Sequence, residues 1–276
     1  MSTHANDTGW RLFVRGACAR AYPRLILNVR EKWWLLFDVL LPLIGLSAYV
    51  FVYRTVHAPD ALIGFVVLGG AMSAYWLNVT WAMAAQLFWE KETGNLSLYI
   101  IAPNSLMSVL LGMALGGIAA SSLRALAILS IGSVLFGVDY TVSSLPLLVA
   151  VFVLALIALY GLGMMFSSLF LLFSREGWHL ANLMQEPVFL VSGIYFPIRS
   201  LNFWVAAGAS LIPLTIAVDA IRQLVFSSSG VGFLPVETEV WLLAALALVF
   251  VALARVSLTY MERLAIREGR LTESRS

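Results

Sequence analysis

The chain has 276 residues, of which 61% are hydrophobic and only 12% charged, with a mean hydropathy of +0.91. A soluble domain of this size carries about twice that charged fraction, and several apolar runs approach the roughly 20 residues needed to cross a bilayer as a helix. The net charge of +2 says little, because in a membrane protein the placement of the basic residues matters more than their sum. The alternating ten-residue segments of a membrane β-barrel are not found. The chain therefore reads as an all-α polytopic membrane protein. Its single cysteine, Cys18, excludes an internal disulfide and a cysteine-cluster metal site.

Residues 1–34 are polar and arginine-rich, with Arg11, Arg15, Arg20, Arg24, Arg30 and Lys32 set among aromatic and aliphatic residues. That mixture suits a cytoplasmic or interfacial segment in which arginines reach phosphates. Pro23 is expected to start a second helix there. No short apolar core with a small-residue cleavage site is present, so the first span is expected to be retained. It covers residues 35–53, entered through Trp33 and Trp34, with Asp38 near its start and Pro42 inside it.

Span two covers residues 61–88 and carries no charge, span three residues 105–137 with Arg124 inside, and span four residues 145–173. A short span five, residues 180–195, contains Glu186 and Pro187. Residues 196–226 are apolar but broken by Pro197, Arg199, Pro213, Asp219 and Arg222, which argues for re-entrant or extracellular helices covered by protein. Span six covers residues 240–260, and residues 261–276 form a charged tail. The expectation is one membrane domain over 1–276, with six spans in 35–260 and both termini on one side. Lys91, Arg175 and the tail residues Arg263, Arg267, Arg270 and Arg275 join the basic N-flank on that side, against Arg54, Arg199 and Arg222 on the other. The asymmetry puts both termini, and the loop at 90–103, in the cytoplasm.

That loop combines Glu90, Lys91 and Glu92 with Gly94, Leu96 and Pro103. On spacing alone it is a charged turn between spans: a short helix, a glycine turn and a proline start to the next span. The run W-E-K-E-T-G-N-L-S-L-Y-I-I-A-P, however, resembles the E-[RK]-E-x-G-[TN]-L-x-x-L-x-x-x-P signature of ABC-2-type permeases, the membrane subunits of ABC exporters. The six-span layout, the basic N-terminal segment, the E-P-V-F-L-V-S-G-I-Y-F-P run at 186–197 and the broken segment before the last span are similar as well.

The resemblance implies a coupling helix after span two that docks on a separate ATP-binding subunit, with Glu90, Lys91, Glu92, Gly94, Leu96 and Pro103 at the matching positions. Charges would register the loop against the partner, and Leu96, Leu98 and Tyr99 would anchor it. It also implies a pathway between two membrane halves, a second copy of the chain or a similar permease supplying the other, with Glu186, Pro187, Gly193 and Pro197 near the outer exit. ATP and Mg would bind on the partner. The chain itself is not expected to be an enzyme, because its two lysines, Lys32 and Lys91, follow no G-x-x-x-x-G-K-[ST] loop. The setting implied is a bacterial or archaeal plasma membrane, the cargo an amphipathic, lipid-like, drug or glycolipid substrate, with no nucleic acid as partner.

Arg124 costs roughly 2.5–3.5 kcal/mol to insert at mid-span, so it is expected to face protein or water, either in a structural pair or against an anionic substrate. Glu186 is the pairing partner considered for it. Gly112 and Gly116 form a G-x-x-x-G that lets helices approach closely, expected within one subunit. His4, His57 and His179 lack metal-ligand spacing. An ion-gradient-driven secondary transporter and a non-transporting assembly factor are the alternative readings; the former needs titratable groups deep in the spans, and only Glu186 and Asp38 are available.

Overall fold

The computed structural model describes residues 9–30, 32–101, 105–173, 177–226 and 232–268. Pro103, the loop holding Arg175 and Glu176, the turn at 227–230 and the end of the tail lie outside the described residues. Helix α1 is Gly9–Arg30 and α2 is Lys32–Thr55. Helix α3, Asp60–Leu77, continues through a π-helical turn at Asn78–Met83 toward α4, Gln86–Glu92, and α5 is Asn95–Ile101. The long helices α6, Leu106–Phe136, and α7, Leu145–Phe173, are followed by α8, Gly177–Val191. A 3-10 turn at Ile198–Ser200, α9, Phe203–Ala209, and α10, Pro213–Val225, lead to α11, Val236–Glu268.

Local sequence explains the boundaries. Ser105 caps α6 by accepting the Ser108 amide, and Gly137 ends it in the left-handed conformation, φ +69°. Asn202 caps α9 through the Trp204 amide, and Pro213 occupies the first turn of α10, where its missing N–H costs nothing. Pro23 does not begin a new helix. It lies inside α1, which runs unbroken on both sides of it.

Among the described residues, five helical stretches are long and apolar enough to cross a membrane: Leu35–Thr55, Asp60–Glu92, Leu106–Phe136, Leu145–Phe170 and Val236–Met261. A sixth is added only if α9 and α10, bent by 105°, count as one broken span. The expected fifth span is therefore different from the sequence reading. Helix α8 has 15 residues, roughly 22 Å at about 1.5 Å per residue, less than a ~30 Å hydrocarbon core. It ends before Gly193, whose φ of +72° turns the chain. The turn still delivers Tyr195 to the C-terminal half of α2, where its ring stacks on Tyr49 at 3.9 Å and its carbonyl accepts the Tyr53 hydroxyl at 3.0 Å.

Helix α3 is the centre of the bundle, buried from Ile63 to Trp76. It packs against α2, α6 and α10, while α7 and α11 form the largest helix pair. A charge-free sequence with small residues makes this possible: a Cβ at Gly69 would overlap the carbonyl of Ile194. Helix α1 lies along α6, and the G-x-x-x-G is its seam. A Cβ at Gly112 would overlap the Ala17 carbonyl, and one at Gly116 would stand 3.0 Å from the Arg24 Cβ. At the end of the bundle formed by the α6–α7 loop, the chain leaving α10 pairs with that loop. The Thr141 amide donates to Val225 and the Ser143 amide to Leu224, both at 2.9 Å.

Candidate functional site

The predicted coupling segment folds as a helical hairpin, α4 and α5, turned at Gly94, where φ is +76° and a side chain would be strained. Its two faces differ. Inward, Glu90 is 4% exposed; its Oε1 accepts from Gln86 at 2.8 Å and pairs with the Arg20 guanidinium of α1. Arg20 lies over the Tyr99 ring at 5.5 Å, and burial raises the Tyr99 hydroxyl above its ordinary pKa, with the Arg20 charge opposing. Leu96 is 1% exposed and part of the main core.

Outward, Leu98 and Ile101 are 64% and 81% exposed and share one face by their three-residue spacing. Trp89 and Glu92 are exposed and Lys91 half-buried. The segment thus departs from the expected arrangement in two respects. Glu90 is not a rim charge but an internal tie to α1, and of the three expected anchors only Leu98 faces out, because Leu96 and Tyr99 lie on the opposite side of a two-turn helix.

Arg124 does not pair with Glu186. Its Nη1 donates to Asp38 Oδ2 of α2 at 2.7 Å, and Glu186 is exposed, with its Oε1 accepting from Gln185 at 3.3 Å. Asp38, four residues into the first apolar stretch, keeps a partly exposed side chain, and packing of α2 on α6 brings it to Arg124. The pair borders a half-open cavity of about 710 Å³ between α1, α2, α3, the π-helical turn, α6 and α8. Arg24 enters from α1 and donates to the Ala82 carbonyl at 3.3 Å. Burial lowers the Arg24 guanidinium from its ordinary range. Across the cavity the Trp81 indole donates to Gln185, joining the π-helical turn to α8. Such turns recur at functional sites because they displace one residue from the helical ladder.

The remaining predicted positions lie on α8 and the turns that follow it. Pro187 is inside α8, Gly193 forms the turn after it, and Pro197 precedes the 3-10 turn. What gathers this region is Arg222 of α10, fully buried. It donates to the carbonyls of Gly193 and of Phe196, the latter at 3.3 Å, and to those of Phe65 and Ile194, each at 2.7 Å. Nearby, Gln223 donates to Asp219 at 3.3 Å and Glu239 at 3.0 Å, two carboxyls buried between α10 and α11. Sequence reasoning placed Arg222 and Asp219 only as interruptions. The signal available was their i, i+3 spacing after Pro213 on a helix too polar for lipid.

Residues 23–226, well over half of the chain, match the family model described as ABC-2 type transporter. Comparison with curated proteins finds no match.

Proposed function

The chain belongs to the ABC-2 type transporter family, and from that premise we propose that it is the membrane permease subunit of an ATP-driven exporter. In this reading two copies, or one copy and a similar permease, form the translocation pathway in a bacterial or archaeal plasma membrane, with both termini in the cytoplasm. A separate ATP-binding subunit carries ATP and Mg and performs hydrolysis. The cargo is amphipathic: a lipid-like molecule, a drug or a glycolipid.

One observation supports coupling through 90–103 above all others: the α4–α5 hairpin is fixed on its inner face and bare on its outer one. Leu98 and Ile101 form an apolar edge beside the charges of Lys91 and Glu92, the composition that docks into a protein cleft. Behind that edge, Leu96 ends in the core, and Glu90 holds Arg20 of α1, which in turn rides on α6 along the glycine seam. Closure of ATP-binding subunits would push the hairpin, and the push would pass by two routes, through Leu96 to the core and through Arg20 to α1 and α6. By linkage, a cargo that favours one state of the spans must also change nucleotide affinity.

Retention of the ATP-binding subunit on the tagged permease tests the assignment. Leu98→Asp with Ile101→Asp should abolish retention while leaving the melting temperature of the permease alone unchanged, since both side chains are already exposed. Undiminished retention by that double variant would refute the docking edge.

A further inference from the structure

The carboxyls of Asp219 and Glu239 are buried between α10 and the first turn of α11, and they have no part in the coupling route. We propose that they form a proton-binding site: the pair holds one proton between its two carboxyls at neutral pH, and that proton latches α10 and the loop at 232–235 to α11. The ligand is a proton from solvent, and no co-reactant is needed. The inference goes beyond the permease reading and does not depend on it.

Geometry carries it. Both residues are shut from water, Asp219 at 3% and Glu239 at 0% exposure. Their carboxyls converge on one nitrogen, since Gln223 Nε2 lies 3.3 Å from Asp219 Oδ2 and 3.0 Å from Glu239 Oε2, and they stand close enough for a hydrogen bond between the two acids. Two ionised carboxylates cannot make that bond, because neither carries a hydrogen. One proton on the pair supplies the missing donor, as wherever two close acids share a proton. The same Gln223 nitrogen also reaches the Leu234 carbonyl at 2.8 Å, so its two hydrogens face three acceptors. Glu239 Oε1, equally buried, receives no hydrogen bond among the described residues, as fits an oxygen that carries the hydrogen itself.

The charge balance agrees. Arg222, one turn beyond Asp219 on α10, interacts with the Asp219 charge and so matches one carboxylate. No cation acts on Glu239, whose neighbours are Asp219 and the Leu234 backbone. On α3, α7, α10, α11 and the 3-10 turn, Asp219, Arg222 and Glu239 are the only buried charged side chains among the described residues. Asp60 at the start of α3, Asp139 beyond α6, Arg199 in the 3-10 turn, and Glu237 and Arg255 of α11 are exposed. The nearby tyrosines are engaged elsewhere, Tyr53 with the Tyr195 carbonyl, Tyr140 with Ser133, Tyr75 with Ser122 and Tyr160 with Asn78. With both carboxyls ionised, one negative charge stays unmatched in a dry site, and one proton removes it.

The consequence is mechanical. The Phe233 amide donates to Asp219 Oδ2 at 2.7 Å, and Gln223 reaches both Leu234 and Glu239, so this cluster joins α10, the connecting loop and α11. Once the proton leaves, two like charges repel across the joint. An unfolded chain releases both carboxyl protons near about pH 4, whereas the folded pair keeps one at neutral pH. Its contribution is therefore complete in acid and is lost as rising pH strips the pair.

The test uses the full-length chain in phosphatidylcholine nanodiscs, with the proton itself as probe. An infrared difference spectrum, wild type minus Glu239→Gln at neutral pH, should show the carbonyl band of one protonated carboxyl that the variant lacks. Glutamine keeps the shape and offers an N–H where the acid offers its O–H. Between neutral pH and about pH 10, the wild type should lose several degrees more of melting temperature than Glu239→Gln or Asp219→Asn, since neither variant can gather two charges. Asp219→Asn keeps that comparison available should Glu239→Gln not fold, and losses from groups titrating elsewhere are common to all three proteins. A difference spectrum without the band, or equal alkaline losses in wild type and variants, would overturn the site.

Discussion

Charged residues in an apolar chain are each forced into a specific arrangement, and three of them define this one. Glu90 holds Arg20, Asp38 holds Arg124, and Arg222 collects four backbone carbonyls around the Gly193 turn. The sequence marked Glu90, Arg124 and Gly193 as positions of interest, but not their partners, because pairing across the bundle depends on helix packing rather than on spacing. Glu90→Ala leaves Arg20 without its carboxylate and should destabilise the protein by roughly 1–3 kcal/mol. The exchange Arg20→Glu with Glu90→Arg should recover part of that loss in a thermal melt; no recovery would mean that the pair is incidental. Arg222→Lys should cost about 1.5–3 kcal/mol despite keeping the charge, since an ammonium cannot fan out to four carbonyls. A lysine variant melting like the wild type would show that charge alone suffices there.

At the scale of elements, the long helices were legible because their apolar runs are long and carry few or no charges: α3, α6, α7 and α11 follow from such runs, with Ser105 and Gly137 marking the ends of α6. Two elements were not. Helix α1 was expected to break at Pro23, yet contact with α6 along Gly112 and Gly116 accompanies one continuous helix, a tertiary effect that outweighs a local propensity. Helix α8 was expected to span, yet the turn at Gly193 ends it early, and Arg222 satisfies the carbonyls thereby freed. The seam can be tested with the chain's own single cysteine, Cys18, which is exposed beside Ala17. A spin label on it should become more mobile in Gly112→Leu, whose side chain must displace α1, while Gly9→Leu, where nothing stands within 4 Å, should leave the spectrum unchanged. Equal spectra for all three proteins would show that α1 is not held by that contact.

As a whole molecule, the protein is a helical bundle with the α4–α5 hairpin at one end, a helical cap gathered by Arg222 at the other, and a charged cavity between them. Composition made the membrane class plain, and the run at 90–103 pointed to the family, whose model matches residues 23–226. Which faces of the hairpin look inward could not be read in advance, because α5 is too short for periodicity to orient it without the core that receives Leu96. In the proposed function, nucleotide-driven closure enters at the outer edge of α5 and reaches α1 through Glu90 and Arg20. The most direct measurement is the signal of a spin label on Cys18 in the complex with the ATP-binding subunit, before and after trapping with Mg, ATP and vanadate. Trapping should shift the signal in the wild type, and the shift should disappear in Leu98→Asp with Ile101→Asp. A signal that ignores trapping, or a shift that survives in the double variant, would contradict the account.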